Sequence, residues 1–196
     1  MSASALILAG GRATRFGGIA KHALVVDGAT ILERQRAVLG PRVAEVLISG
    51  ALDVPGLRTV HDVVVGVGPL AGIAAGLAAA TTEWLLVVAC DMPDLHGGLV
   101  DLLLARAGEG DGRVAAADAV GLRIGGLPEP LLCALRVAPA RAAIDAMLAA
   151  GRYKASRLLT DEGLRVSWIE EAAVRQVDPE LRGLRNINEP ADLRRS

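Results

Sequence analysis

Ala5-Leu6-Ile7-Leu8-Ala9-Gly10-Gly11-Arg12-Ala13-Thr14-Arg15-Phe16-Gly17-Gly18-Ile19-Ala20-Lys21 is the stretch that decides the fold. A short apolar run stops at two glycines, and a loop with Arg12, Arg15, two more glycines and Lys21 follows. An apolar run of this length bounded by glycine reads as a buried strand at the start of a parallel sheet. Paired glycines after such a strand let backbone approach a ligand closely, and free N–H groups there can cradle anionic oxygens. With two arginines and a lysine beside those amides, an anion is the expected ligand.

Composition sets the frame around this loop. A chain of 196 residues is long enough for one α/β domain with a sizeable core. Hydrophobic residues make up 52% and aromatics only 2%, so the core has to be built from Ala, Val, Leu and Ile. A net charge of −1 provides no basic field for DNA or RNA, which makes any anion site local and argues against a nucleic-acid binder. Cys90 and Cys133 are far apart in sequence with no CxxC or Cys/His grouping around them; buried free thiols in a reducing cytosol are expected. No stretch has the signature of a signal peptide, and apolar runs are interrupted well before the roughly 18 residues a membrane span needs. A cytoplasmic protein that does not engage membranes is the expectation.

Read in order, the chain alternates strand and helix. Ala23 to Val26 is a short extended run turned by Asp27-Gly28. Thr30 can cap a helix carrying Ile31, Leu32, Gln35, Val38 and Leu39 at helical spacing, with Glu33 placed for a capping box and Pro41 as the stop. Strands follow at Val43 to Ile48 and Arg58 to Asp62. Gly66 to Gly68 then turns into an almost wholly small and apolar helix, Leu70 to Thr81, whose Gly72 and Gly76 would allow close packing. Trp84 to Cys90 is the most hydrophobic strand and is expected at the centre of the sheet. Its end presents Asp91-Met92-Pro93-Asp94. A carboxylate at the C-terminal end of a central parallel strand lies where open α/β sheets bind ligands, and such an ion requires a cation, metal or amide partner. Asp94 is read as the cap of a helix near Leu99 to Ala107. A strand at Val114 to Ala117, a rigid loop from Gly125 to Pro130, a strand at Leu131 to Leu135, a helix at Pro139 to Ala150 and a strand at Val166 to Ile169 complete the pattern. Asn188 is placed to cap a last short helix. Trp84 and Trp168 read as core and His96 as surface. The pattern is that of a doubly wound, mostly parallel Rossmann-like sheet in three layers. A single domain over 1–196 is expected.

Two common phosphate motifs do not fit the opening loop. A P-loop requires GxxxxGK[ST], whereas Lys21 follows Ala20 and precedes His22; the dinucleotide fingerprint GxGxxG is likewise missing. The remaining pattern, LAGG, then Arg, Gly and Lys, resembles the nucleotidyltransferase superfamily with the GT-A-type fold, and within it the molybdenum cofactor guanylyltransferase (MobA) family. The resemblance continues in order through Asp62, Gly68-Pro69-Leu70-Ala71-Gly72, Cys90-Asp91-Met92-Pro93, Pro128-Glu129-Pro130 and Asn186-Ile187-Asn188.

This resemblance implies transfer of GMP from GTP to the terminal phosphate of molybdenum-bound molybdopterin, with release of pyrophosphate. It implies that Leu8, Ala9, Gly10 and Gly11 line the nucleotide, that Asp62 contacts it, that Lys21 meets its phosphates, and that Asp91 holds Mg²⁺; the charge of Arg15 in the same loop suits the same phosphates on physical grounds. Asn186, Asn188, Pro128 and Glu129 would face the acceptor, and molybdoenzymes or cofactor-delivery proteins are the implied partners. The chain departs from the family pattern at Ala20, where an acidic residue is usual, and at Ser49-Gly50-Ala51, where an asparagine is usual. A relative that uses CTP or a sugar-phosphate acceptor, and a non-catalytic cofactor carrier, therefore stay open as alternatives. The physical demands agree with the transferase reading: the attacking phosphate is already anionic, so the work lies in bringing two anions together and stabilising the leaving pyrophosphate.

Overall fold

The apolar runs assemble into a seven-stranded sheet in a computed structural model that describes residues 2–9, 20–50, 54–61, 68–109, 116–161, 163–189 and 192. The strands are β1 (Ala3–Leu8), β4 (Glu45–Ser49), β5 (Arg58–Val60), β6 (Trp84–Ala89), β7 (Ala119–Ile124), β8 (Leu127–Arg136) and β9 (Val166–Glu170). A separate small hairpin joins β2 (Val25–Val26) to β3 (Ala29–Thr30) around Asp27-Gly28. The order across the large sheet is β5-β4-β1-β6-β8-β7-β9, so β6 is central as expected. From β5 to β6 the pairs are parallel; β8 is antiparallel to both β6 and β7, and β9 returns parallel to β7. The sheet is thus mostly parallel and mixed.

Helices cover both faces: α1 (Ile31–Leu39), α2 (Pro69–Ala79), α3 (Gly97–Gly108), α4 (Val137–Ala149) and α5 (Glu171–Val177). Alternation along each strand splits the core in two. Leu32 and Leu39 of α1, Leu99, Val100 and Leu103 of α3 and Val174 of α5 pack on one face with Ile7, Leu86 and Val88. Leu70, Ile73 and Leu77 of α2 and Ala140, Ile144 and Met147 of α4 pack on the other with Leu6, Leu85 and Val87. All six side chains of β1 and of β6 are buried, each large aliphatic one contributing about 1.5–3 kcal/mol of hydrophobic stabilisation. This is how a core with almost no aromatics is filled.

Helix α1 begins as its sequence indicates. The Thr30 hydroxyl accepts from the Glu33 N–H, and the Glu33 carboxylate accepts from the Thr30 N–H at 2.8 Å. On α2 the two glycines serve the sheet. A Cβ on Gly76 would lie 2.5 Å from Leu6 Cδ2, and one on Gly72 would lie 2.8 Å from Ser49 Oγ. Both glycines therefore mark close helix–sheet contact.

Several expectations are corrected. The strand expected at Val114 to Ala117 begins at Ala119, and residues 114–115 lie outside the described set. The segment read as a rigid loop, Gly125 to Pro130, is a turn only at Gly125-Gly126, both with positive φ; Leu127 onward is β8. Residues 130–132 of β8 form a bulge, since the register with β7 passes from Gly121↔Cys133 to Leu122↔Glu129. A proline is tolerated here because β6 pairs with β8 only up to Leu132, so the stretch beyond it has a ladder partner on one side alone. Asp94 does not cap α3, whose N-cap His96 makes no side-chain cap bond; it lies 3.5 Å from Arg34 and 3.8 Å from Arg185. His96 is half-buried and faces the Asp178 carboxylate at 3.5 Å. Trp84 is core, whereas Trp168 is half-buried with the Arg123 guanidinium 4.4 Å above its ring. Residues 190, 191 and 193–196 lie outside the described set, so the helix expected after Asn188 falls there.

Candidate active site

In a sheet of this order the chain runs outward from β1 to one side and from β6 to the other, leaving a crevice at their C-terminal ends. Leu8 ends β1 and Ala89 ends β6, paired in register. Cys90 extends the ladder by one bond, its N–H donating to Leu8 O at 3.2 Å, and Asp91 follows at the mouth of the crevice.

Lys21 sits directly over that mouth. It begins a short 3-10 turn, Lys21–Ala23, and its Nζ donates to Asp91 Oδ2 at 2.8 Å and to Asn188 Oδ1 at 2.9 Å. An ammonium has three donors, so beyond these two contacts among the described residues one is left for an incoming oxygen. The C-terminal segment is held there by its backbone as well: Ile187 N–H donates to Asp91 O at 2.8 Å, and the Ile187 side chain is buried with Leu24, Val26 and Ile31. Asp192 accepts from the N–H groups of Asn188 and Glu189, each at 2.9 Å, which fixes the turn carrying Asn188. Three segments remote in sequence thus meet at one cation.

Glu129 joins this group through its field. Burial, and after it the charge of Asp91, raises its carboxyl above the ordinary range, while the Leu131 N–H pulls the other way. The Cys90 thiol is pushed up to about 12 by burial and then by the Asp91 charge. Cys133 is likewise pushed up to about 12, by burial and then by Glu129. Both cysteines are free and buried, as expected. His22, next to Lys21, is buried and its pKa is lowered by desolvation, so it is neutral at pH 7; its Nδ1 has no partner among the described residues.

The other expected residues fall as follows. The Leu8 side chain is buried against α2 and its O accepts from the Cys90 N–H; Ala9 is half-buried and its N–H donates to Ser49 O at 3.2 Å. Pro128 is half-buried on β8, and Asn186 and His61 are exposed. Gly10, Gly11, Arg12, Arg15, Gly17, Gly18, Ala51, Asp62 and Gly66 lie outside the described residues. Sequence reasoning missed Gln35 as a member of this neighbourhood: its amide Nε2 donates to Ala89 O at 2.8 Å and to Met92 O at 3.1 Å, spanning the turn that carries Asp91. The available signal was an amide on an otherwise apolar helix stripe. Arg34, one residue earlier, donates to Pro93 O at 2.9 Å.

The donors gathered here are oxygens: a carboxylate, an amide oxygen and, nearby, a second carboxyl. Among the described residues no group of three His, Cys, Asp or Glu side chains is arranged to hold a metal. A donor set of carboxylate and amide oxygens suits Mg²⁺, which prefers one or two carboxylates with water and phosphate oxygens completing its shell. It does not suit a structural zinc. Among the described residues no helix is long and apolar enough to cross a membrane.

Comparison with known proteins bears on the same fold. Residues 5–166 match the model of the MobA-like NTP transferase domain. A molybdenum cofactor guanylyltransferase of Yersinia pseudotuberculosis is 38% identical over 104 residues, which is 50% of this chain and 53% of the relative; the match therefore spans about half of that curated relative. Among solved structures, molybdopterin-guanine dinucleotide biosynthesis protein A from Archaeoglobus fulgidus superimposes with a TM-score of 0.77 at 26% identity, covering 98% of this chain and 95% of that one. The 2-C-methyl-D-erythritol 4-phosphate cytidylyltransferase of Thermus thermophilus gives 0.70 at 25% identity, covering 98% and 96%.

Proposed function

The chain belongs to the MobA-like NTP transferase family, and on that premise we propose that it transfers GMP from GTP to the terminal phosphate of a molybdopterin-type acceptor, releasing pyrophosphate. The observation that carries the reading is Lys21 Nζ held between Asp91 and Asn188 at the end of the central strand. A lysine fixed in this way presents a positive charge where two phosphates must approach each other. The entire chain acts as one domain, with its nucleotide half at about 1–95 and its acceptor-facing half at about 96–196.

In this mechanism the end of β1 and the loop of Gly10 and Gly11 receive the nucleotide through backbone amides, with Asp62 as a further contact. Lys21 and Arg15 neutralise the phosphates. Asp91 would hold Mg²⁺, with Asn188 Oδ1 close by; the ion, when bound, draws charge from the phosphoryl oxygens as a Lewis acid. No general base is needed, because the acceptor phosphate is already an anion at neutral pH. Glu129, Pro128, Asn186 and Asn188 border the acceptor side.

The likeness to a cytidylyltransferase, together with Ser49-Gly50-Ala51 at the base-contacting position, supports a second reading in which CTP is the donor. Pyrophosphate release measured with each of the four nucleotides, Mg²⁺ and purified molybdopterin separates the two. Release with GTP is the expected result. Release with CTP alone selects the second reading, and binding of the pterin without turnover on any nucleotide selects a carrier.

A further inference from the structure

We infer that Gln35 is a positioning residue for Asp91, holding the turn that sets the metal-binding carboxylate; the inference rests on the reading of Asp91 just given. Gln35 lies on α1, fully buried, with both hydrogens of its amide directed at carbonyls on either side of Cys90–Asp91: Ala89 O at 2.8 Å and Met92 O at 3.1 Å. Two acceptors fix the orientation of the amide, since reversing it would set Oε1 against two carbonyl oxygens. Oε1 itself is buried without a partner among the described residues. A buried amide with one end unsatisfied is a costly choice for a helix position that otherwise takes Leu or Ile, so the two bonds it does make have a specific use.

That use follows from where the sheet ends. The antiparallel ladder between β6 and β8 closes at Val88↔Leu132, while on the other side β1 still accepts the Cys90 N–H. Beyond Val88 the chain stays on β1 for two more residues but has no β8 ladder on its other side. Gln35 takes the place of that missing strand and ties the turn down at both ends. The remaining restraints on the turn, Arg34 on Pro93 O and Ile187 N–H on Asp91 O, act on other atoms and do not duplicate it. A side chain that orients a metal ligand from behind governs metal affinity more than it governs nucleotide affinity.

The test uses Gln35→Met, an apolar side chain of similar length that cores accept, beside Asp91→Asn. Mn²⁺ serves as the probe and is followed by electron paramagnetic resonance with a saturating non-hydrolysable GTP analogue; binding of the same analogue is measured separately without metal. The expected result is Mn²⁺ affinity about tenfold or more weaker in Gln35→Met, metal-free analogue binding within about twofold of wild type, and a far-UV spectrum of the folded protein. Wild-type Mn²⁺ affinity in Gln35→Met, with Asp91→Asn weakened, overturns the inference alone. Unchanged Mn²⁺ affinity in Asp91→Asn overturns the assignment of Asp91 and the inference with it. Where Gln35→Met does not fold, Gln35→His carries the test: its single ring N–H replaces one of the two bonds, so Mn²⁺ affinity should fall by a smaller factor, and no fall overturns the inference.

Discussion

Lys21→Ala should separate catalysis from stability more sharply than any other change at the site. In the resting protein Lys21 is paired to Asp91 at 2.8 Å, but the two side chains keep 28% and 19% of their exposure. Solvent reaches both, so the pair is screened and its loss should cost the fold only about 1 kcal/mol or less. With substrates present the balance differs. A lysine about 4 Å from a phosphate charge interacts with about 4 kcal/mol gross at an effective dielectric near 20. The charge that develops on the leaving pyrophosphate lies in the same region, and removing one such stabilising group typically costs about 10²-fold or more in turnover.

The expected outcome is thus a urea midpoint close to wild type and a rate of pyrophosphate release lower by about 10²-fold or more. Lys21→Arg should restore only part of the rate, since a planar guanidinium cannot reproduce a point charge held between Asp91 Oδ2 and Asn188 Oδ1. The reasoning is refuted if Lys21→Ala turns over at close to the wild-type rate with saturating Mg²⁺ and nucleotide. It is equally refuted if the rate loss is matched by unfolding at the assay temperature, because the lysine would then be structural.

Four further outcomes follow from the geometry. Thr30→Ala removes the capping box of α1 and should lower stability by about 1 kcal/mol, read from urea unfolding. Gly76→Ala puts a methyl group 2.5 Å from Leu6 Cδ2; the overpacking cost of about 1–3 kcal/mol exceeds the gain in helix propensity of about 1 kcal/mol, so net destabilisation is expected on denaturation. The Asp118 carboxyl is held below the usual range, first by its hydrogen bonds to Arg165. A lowered folded pKa stabilises the protein above the unfolded value and is lost as pH falls through the folded one, so Asp118→Asn should be less stable at pH 7 and should lose less on acidification below about pH 4. Cys90 and Cys133, both buried with thiols near 12, should resist iodoacetamide in the native protein at pH 8 and react once it is unfolded in urea; rapid native labelling of either one would contradict the packing.

What could be read from the sequence was local chemistry carried by periodicity. Trp84 to Cys90 stood out as a central strand because six consecutive side chains are buried in it, and a carboxylate at its end is costly unless it has a partner. Thr30 and Glu33 announced a helix start through a bond pattern confined to four residues. Where distant segments compete with local preference, the same reasoning failed. Asp94 suits a helix cap by spacing, yet Arg34 and Arg185 lie close to its carboxylate, and neither is near it in sequence. Pro128 and Pro130 spell a loop unless it is known that β8 there has a strand on one side only. Gln35 looked like one more position on an apolar stripe because its partners, Ala89 and Met92, lie more than fifty residues away.

The same contrast locates the question of which base the site accepts. Leu8 and Ser49 both end strands at the crevice, but their side chains are buried beneath α2, where a Cβ on Gly72 would touch both. Neither can offer a polar side-chain group to a guanine or a cytosine without α2 moving. What these strand ends can present is backbone, and each of three bonds there engages both a donor and an acceptor: Ala9 N–H with Ser49 O, Gly50 N–H with Val60 O and Cys90 N–H with Leu8 O. Carbonyl oxygens accept from the ring N–H and amino group of guanine and from the amino group of cytosine, but they cannot donate to cytosine's ring nitrogen or carbonyl. Any of these carbonyls with a lone pair to spare meets two kinds of donor on guanine and one on cytosine, a difference that pyrophosphate release with GTP and with CTP reads directly.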